Sequence, residues 1–209
     1  VDLGLLFFFK YLNFFVENIC AVTGFMAPTI DVALPLGISF YTFQIMSYII
    51  DVYRKKYPAG RNLIEVAAYI SMFPQLIAGP IVTFDEVQPR LKERKISPAN
   101  IENGLLLFVA GLVYKVMLAN QIAALWNDVM VAGVMGINTA TAWLGAWGYS
   151  MQIYFDFLGY SLMAIGMGYM LGFKFPKNFS NPYCAVSVTD FWRRWHITLG
   201  RWFREYVYI

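Results

Sequence analysis

The sequence predicts an all-α protein, a multi-pass transmembrane helical bundle that also carries re-entrant and interfacial amphipathic helices. Three observations lead there. Of 209 residues, 59% are hydrophobic and 18% aromatic against 14% charged, a composition foreign to soluble domains. The apolar residues gather into runs of about twenty, the length that carries a helix across a hydrocarbon core, with short charged stretches between them. The last run, Thr189 to Ile209, sorts into an aromatic and an arginine-rich face at helical spacing. A net charge of +3 leaves no nucleic-acid footprint. The basic residues sit mostly at segment ends, where they set orientation and meet anionic membrane lipid.

Leu3 to Val22 is the first expected span. Lys10 and Glu17 interrupt it seven residues apart on one face, so they point into the bundle or snorkel. Ala27 to Asp31 is a connection without Lys or Arg, and Val32 to Val52 the second span. Gln44, Ser47 and Asp51 form a polar stripe along it that faces protein or a water-filled cavity; such stripes often serve helix association. Arg54, Lys55, Lys56 and Arg61 mark a cytoplasmic loop. Leu63 to Phe84 is apolar again, yet the loop after it, with Arg90, Lys92, Arg94 and Lys95, is also basic. A crossing would put one of these loops outside. Pro74, Gly79 and Pro80 break the run, which therefore reads as re-entrant, with Phe73 to Ile81 walling a cavity and Gln75 as its polar group.

Asn103 to Leu125 is the next span, with Lys115 in its middle, where a cation is costly unless paired, hydrated or functional. Trp126 to Thr139 lacks Lys and Arg and is expected as an outside loop. Ala140 to Phe173 is too long for one crossing at ~1.5 Å per residue and is expected to bend near Asp156 to Gly159. Tyr149, Gln152, Asp156 and Tyr160 share one side of it as a polar seam, whose carboxylate must be neutralised, paired or wet. Lys174 and Lys177 return the chain to the cytoplasmic side, and Asn178 to Tyr183 is rich in turn residues. The opening on Val1 inside an apolar run, without an initiator Met, and the end on Ile209 inside the last helix are expected of a fragment.

In the closing run Phe191, Trp192, Trp195, Leu199, Trp202, Phe203 and Tyr206 share one arc, with Asp190, Arg193, Arg194, Arg201, Arg204 and Glu205 opposite. Ser187, Thr189 and Asp190 supply an N-cap and a first-turn acid. One interfacial helix is expected over the whole run. His196, the only histidine, lies on the border of the faces, with Trp192 and Arg193 one turn back and Gly200 one turn on. Aromatic wall, cation and open space suit a neutral imidazole that moves a proton near pH 7. They equally suit an interfacial histidine bonded to a backbone carbonyl. One histidine and two cysteines at unrelated positions exclude a structural zinc site.

Phe191-Trp192-Arg193-Arg194-Trp195-His196-Ile197-Thr198-Leu199, followed by Trp202-Phe203-Arg204-Glu205-Tyr206, closely resembles the membrane-bound O-acyltransferase family. Phe73 to Ile81, Gln152 to Ser161 and Asn178 to Tyr183 extend the resemblance, which runs from about Pro35 to the end and is specific when the four runs are taken together. It is nearest the bacterial branch that modifies cell-envelope polysaccharides such as alginate and teichoic acid. The resemblance implies a single acyltransferase domain, truncated at both ends, with a second histidine in a downstream segment beyond Ile209. It implies transfer of an acyl group, acetyl above all, from a cytoplasmic thioester (acetyl-CoA or an acyl carrier protein) to hydroxyls of an extracytoplasmic polysaccharide. No bound cofactor is implied, and an extracytoplasmic acetyl-transfer partner is. His196 matches the histidine after the Arg-Arg-Trp run and is the expected catalytic residue, with Asp156, Asn181, Arg193, Trp195 and Gln75 as expected substrate contacts. The fragment alone is expected to be inactive. Polar seams, a re-entrant segment and a mid-membrane lysine also describe the substrate path of a transporter subunit, which stays open as the alternative.

Overall fold

The computed structural model describes residues 2–25, 35, 37–76 and 79–208, except the side chains at 134 and 135, and is helical with no strand among them. Helix α1, Asp2–Thr23, and helix α6, Pro98–Gly133, are long and apolar enough to cross a membrane. Between them lie α2 (Ile38–Tyr53), α3 (Leu63–Ser71), α4 (Phe73–Leu76) and α5 (Phe84–Lys92). After them come α7 (Thr139–Met170), α8 (Val188–Arg194) and α9 (Ile197–Phe203), the last running on into a π-helical turn, Arg204–Tyr208.

Helix α1 buries no residue. Lys10 leaves its face to reach the Ser39 hydroxyl of α2 at 3.4 Å, while Glu17 is exposed. The expected connection Ala27 to Asp31 lies outside the described residues. Gln44, Ser47 and Asp51 of α2 are all buried, and the stripe is a packing surface. The Asp51 carboxylate accepts the Tyr206 hydroxyl at 2.8 Å and pairs with Lys56 at 3.4 Å, which fastens α2 to the end of the chain.

The run from Leu63 to Phe84 is no continuous helix. Helix α3 stops at Met72, α4 is four residues long, and Ile81 to Thr83 is irregular. Its two ends meet. A Cβ on Gly60 would lie 3.5 Å from the Phe84 ring, and Lys92 at the end of α5 comes within 3.9 Å of Glu65 at the start of α3. The excursion therefore leaves and returns at the same end of the molecule. Its fold-back is closed by Tyr69, which donates its hydroxyl to the Val82 carbonyl at 2.8 Å, inside a core of Tyr69, Val82, Phe84, Val87, Ile165, Phe173 and Phe175. Thr83 starts α5 with a capping box completed by Glu86.

One expectation is corrected in the long helices. The stretch from Trp126 is not a loop: α6 continues to Gly133, whose φ of 68° and ψ of 167° break it, because nothing earlier than that glycine interrupts helical geometry. Helix α7 runs unbroken through Asp156 to Gly159; all 32 residues are helical, about 48 Å of helix at ~1.5 Å per residue. Gly159 there serves close packing. A Cβ on it would lie 2.8 Å from the Gly111 carbonyl of α6, and one on Gly111 would lie 2.5 Å from the Gly159 carbonyl. Gly104 and Gly166 repeat the contact seven residues away, at 2.6 and 2.5 Å, so α6 and α7 run antiparallel with their backbones touching. The same interface carries the Lys115–Asp156 ion pair, with Lys115 on a π-helical turn, Tyr114–Ala119, and 4.8 Å above the Tyr160 ring.

Candidate functional site around His196

The closing run is not one helix, contrary to its periodicity. Ser187 caps α8, accepting the Asp190 N–H at 3.1 Å, but the helix ends at Arg194. Trp195 is extended, and His196 takes the left-handed conformation, φ 44° and ψ 54°. The cause lies upstream. The Ser180 N–H donates to the Arg194 carbonyl at 3.0 Å, and the Ile197 N–H donates to the Asn178 carbonyl at 2.9 Å. Residues 178–180 thus take over backbone groups that a continuous helix would pair internally. A left-handed conformation at a non-glycine residue is strained and persists only where its surroundings fix it.

Those surroundings are specific. The Asn178 side-chain oxygen lies 2.9 Å from His196 Nδ1, accepts the Thr198 hydroxyl at 2.9 Å and accepts the Thr198 N–H at 3.4 Å. The Thr198 amide can only donate, so the oxygen of Asn178 faces this cluster, and Nδ1 carries the proton it shares with that oxygen. Nε2 is then the bare nitrogen, and it makes no hydrogen bond among the described residues. The Phe157 ring stands edge-on to the imidazole at 4.8 Å. Burial lowers the pKa of His196 from its ordinary 6.5 to about 4, so the ring is neutral at pH 7.

Thr198 carries the link onward, its hydroxyl oxygen accepting the Ile81 N–H at 3.0 Å. The returning limb of the excursion is thereby fixed to the histidine. Behind Asn178 lies a cavity of about 320 Å³ walled by Leu107, Leu162, Ile165, Tyr169 and Phe179. Asn178 and Ser161 border it, and Asn178 Nδ2 and Ser161 Oγ are both buried and without a hydrogen-bond partner among the described residues. Asn178 and Thr198 were not singled out from the sequence as site residues. The signal available was a turn-rich run 18 residues before the only histidine, which does not say that the two meet.

The other expected site residues are spread around this centre. Trp195 is half-buried in an aromatic box, 5.1 Å from Phe179, 5.6 Å from Phe191 and 6.0 Å from Tyr154. Asp156 points away, to Lys115, while its neighbour Phe157 touches the imidazole. Asn181 is exposed and left-handed, φ 47°, opening the turn Pro182–Cys184. Arg193 is exposed and borders a groove with Thr189, Trp192 and Ile197. Gln75 is buried, its amide nitrogen donating to the Tyr69 carbonyl at 2.6 Å and its oxygen unpartnered among the described residues. The segment around it does wall a cavity, of about 190 Å³ against α6 and α7, but through Phe73, Pro74 and Gly79.

A model of the membrane-bound O-acyltransferase family matches residues 58–209. The whole chain aligns at 47% identity with the "Probable alginate O-acetylase" of Pseudomonas aeruginosa, covering 41% of that protein. It aligns at 37% identity with the "Peptidoglycan O-acetyltransferase" of Helicobacter pylori, covering 44% of it. The "Teichoic acid D-alanyltransferase" of Bacillus subtilis is 32% identical over 83% of the chain and 45% of that protein. The chain thus spans less than half the length of these relatives.

Proposed function

The chain belongs to the membrane-bound O-acyltransferase family, and from that we propose that its full-length protein moves an acetyl group onto hydroxyls of a cell-envelope polysaccharide such as alginate. The relatives' names attach the same type of transfer to three envelope polymers, and the relative named for alginate shares 47% of aligned residues. The protein sits in the cytoplasmic membrane as a multi-pass helical bundle, with Leu63 to Phe84 as a re-entrant excursion. The donor is a cytoplasmic acyl thioester, acetyl-CoA or an acylated carrier protein, and a partner outside the membrane hands the group on. The His196–Asn178 contact supports this reading most directly. It holds a neutral imidazole with Nε2 free to accept the proton of an attacking hydroxyl. As the hydroxyl oxygen bonds to the thioester carbon, the proton goes to Nε2, the carbon–sulfur bond breaks, and the thiolate leaves to be protonated. Buried donors such as Asn178 Nδ2 are of the kind that steadies the oxyanion formed on the way.

The test uses the full-length protein in membranes. His196→Gln keeps size and some hydrogen bonding but cannot take a proton. His196→Gln and His196→Ala should each lower acetyl incorporation into the polysaccharide by about 10² or more, normalised to inserted protein. Near-normal transfer by His196→Gln would remove the proton-transfer role from this residue.

A further inference from the structure

The side chain of Asn178 is bonded on one side only. Its oxygen serves His196 Nδ1, the Thr198 hydroxyl and the Thr198 N–H, at 2.9, 2.9 and 3.4 Å. Its amide nitrogen carries two donors, and Nδ2 meets no acceptor among the described residues, although Asn178 is only 1% exposed. Buried donors left unbonded are costly. Turning the amide over would relieve that cost, because Nδ2 would then reach Nδ1 and the Thr198 hydroxyl oxygen, both of which can accept. Of the three contacts only the Thr198 N–H, the longest, opposes the turn. The His196 side therefore sets the orientation of Asn178 weakly, and that orientation decides which imidazole nitrogen is bare.

The cavity of about 320 Å³ behind Asn178 offers a second hold. Ser161 of α7 borders it, 1% exposed, with its Oγ also unbonded among the described residues. Serines inside helices commonly bond back to their own helix, as Ser150 does by donating to the Ala146 carbonyl at 2.9 Å. Ser161 makes no such bond. The walls around it are mostly Leu, Ile and Phe, and the ammonium of Lys177 adds only donors. Two buried polar side chains from separate elements, not bonded to each other and bordering one roomy cavity, are the setting of an ordered water. We propose that Ser161 is a positioning residue. Through water in this cavity its hydroxyl takes up the donors of Asn178, keeps the amide oxygen toward His196, and so holds the proton on Nδ1 and leaves Nε2 bare. A water uses one of the two amide donors and leaves the other. The effect on rate rests on the acyl-transfer reading, whereas the tautomer can be read without turnover.

The full-length protein, labelled with ¹⁵N in its histidine rings, is placed in phosphatidylcholine nanodiscs, and the His196 signals are assigned by their loss in His196→Gln. The unaltered protein should show the Nδ1–H tautomer. Ser161→Ala should raise the ratio of the Nε2–H to the Nδ1–H form about tenfold, the worth of roughly one hydrogen bond. The kcat of acetyl transfer should fall in proportion to the Nδ1–H form lost, with KM for the donor unchanged. Ser161→Thr keeps the hydroxyl and should restore both readings, while Ser161→Val, of the same size without it, should not. Ser150→Ala, on the same helix with its hydroxyl already bonded, should leave the tautomer as it was. An Nε2–H form in the unaltered protein, or a tautomer ratio unmoved by both Ser161→Ala and Ser161→Val, overturns the proposal. So does a Ser161→Thr variant that behaves like Ser161→Val, since size and not the hydroxyl then matters. A tautomer shift with no matching loss of kcat leaves the positioning role standing and removes the proton-transfer role of His196. A loss of kcat with the tautomer unmoved removes the positioning role and leaves the acyl-transfer reading.

Discussion

A carboxylate at position 178 would change what His196 can do, because the present partner is neutral. Asn178 fixes which nitrogen carries the proton without supplying a charge that would hold the ring protonated. Burial alone acts on the pKa and lowers it to about 4. Since the folded value lies below the ordinary 6.5, the unfolded chain binds the extra proton first. Stability from this group is constant above about pH 6.5 and falls as pH drops from there toward 4. Asn178→Asp places a negative charge against Nδ1 and favours the imidazolium, so it raises that pKa. The acid limb of the transfer-versus-pH profile should then move up by a unit or more, with activity recovering toward pH 8. Asn178→Ala should lose about tenfold or more at every pH, since Thr198 and His196 lose their common acceptor. A purely structural asparagine would leave the profile where it was in both variants. The sequence placed His196 beside aromatic and cationic neighbours. It did not show the asparagine that sets its tautomer, because that contact spans 18 residues and a backbone conformation that periodicity does not encode.

Helices α6 and α7 touch through two glycine pairs, and each pair brings a backbone carbonyl where a Cβ would have to go. Backbone cannot move aside as a side chain can, so a methyl group there must push the helices apart. Gly111→Ala and Gly159→Ala should each destabilise the protein by about 1–3 kcal/mol, read as a fall in the thermal midpoint in detergent. Gly148→Ala on the same helix is the control. Its Cβ would meet Ile122 and Leu125 at 3.6 Å, ordinary contact, and should leave the midpoint unchanged or slightly raised. Equal effects at all three positions would mean that helix propensity, not close approach, decides. The long helices were legible from apolar runs, and so was the interrupted character of Leu63 to Phe84, because Pro and Gly act locally. The Lys115–Asp156 pair was legible only as two separately costly charges, since nothing local in either helix says that they meet. The break at Trp195 and His196 was not legible at all. It depends on residues 178–180 competing for backbone bonds that the closing run could have made with itself.

Among the described residues the basic loops gather at one end, while Lys10 and Lys115 lie apart from it. Lys92 meets Glu65, the Arg90 guanidinium donates to the Gly172 carbonyl at 3.1 Å, and Arg94 lies 5.5 Å over the Phe173 ring. The loops at Arg54 to Arg61 and Arg90 to Lys95 and the exit at Lys174 and Lys177 are thus neighbours, whatever the chain does between them. One end of the α6–α7 pair carries these cations, and the turn at Ile137 and Asn138 closes the other with none. The positive-inside rule then predicts all three basic stretches inside and that turn outside. In full-length protein with Cys20 and Cys184 replaced by Ser, single cysteines at Arg61→Cys, Arg94→Cys and Gly136→Cys should separate into two classes. Gly136→Cys should react with an impermeant maleimide in intact cells. Arg61→Cys and Arg94→Cys should react only after permeabilisation. Gly136 suits the probe because a Cβ there would meet only Ala132, at 3.7 Å. Native Cys184, exposed and free, should behave like the Arg61 position when restored. Opposite labelling of Arg61→Cys and Arg94→Cys would mean that Leu63 to Phe84 crosses the membrane. The return of Phe84 to Gly60 would then have to be abandoned, and with it the link from Ile81 to Thr198 that ties this segment to the histidine.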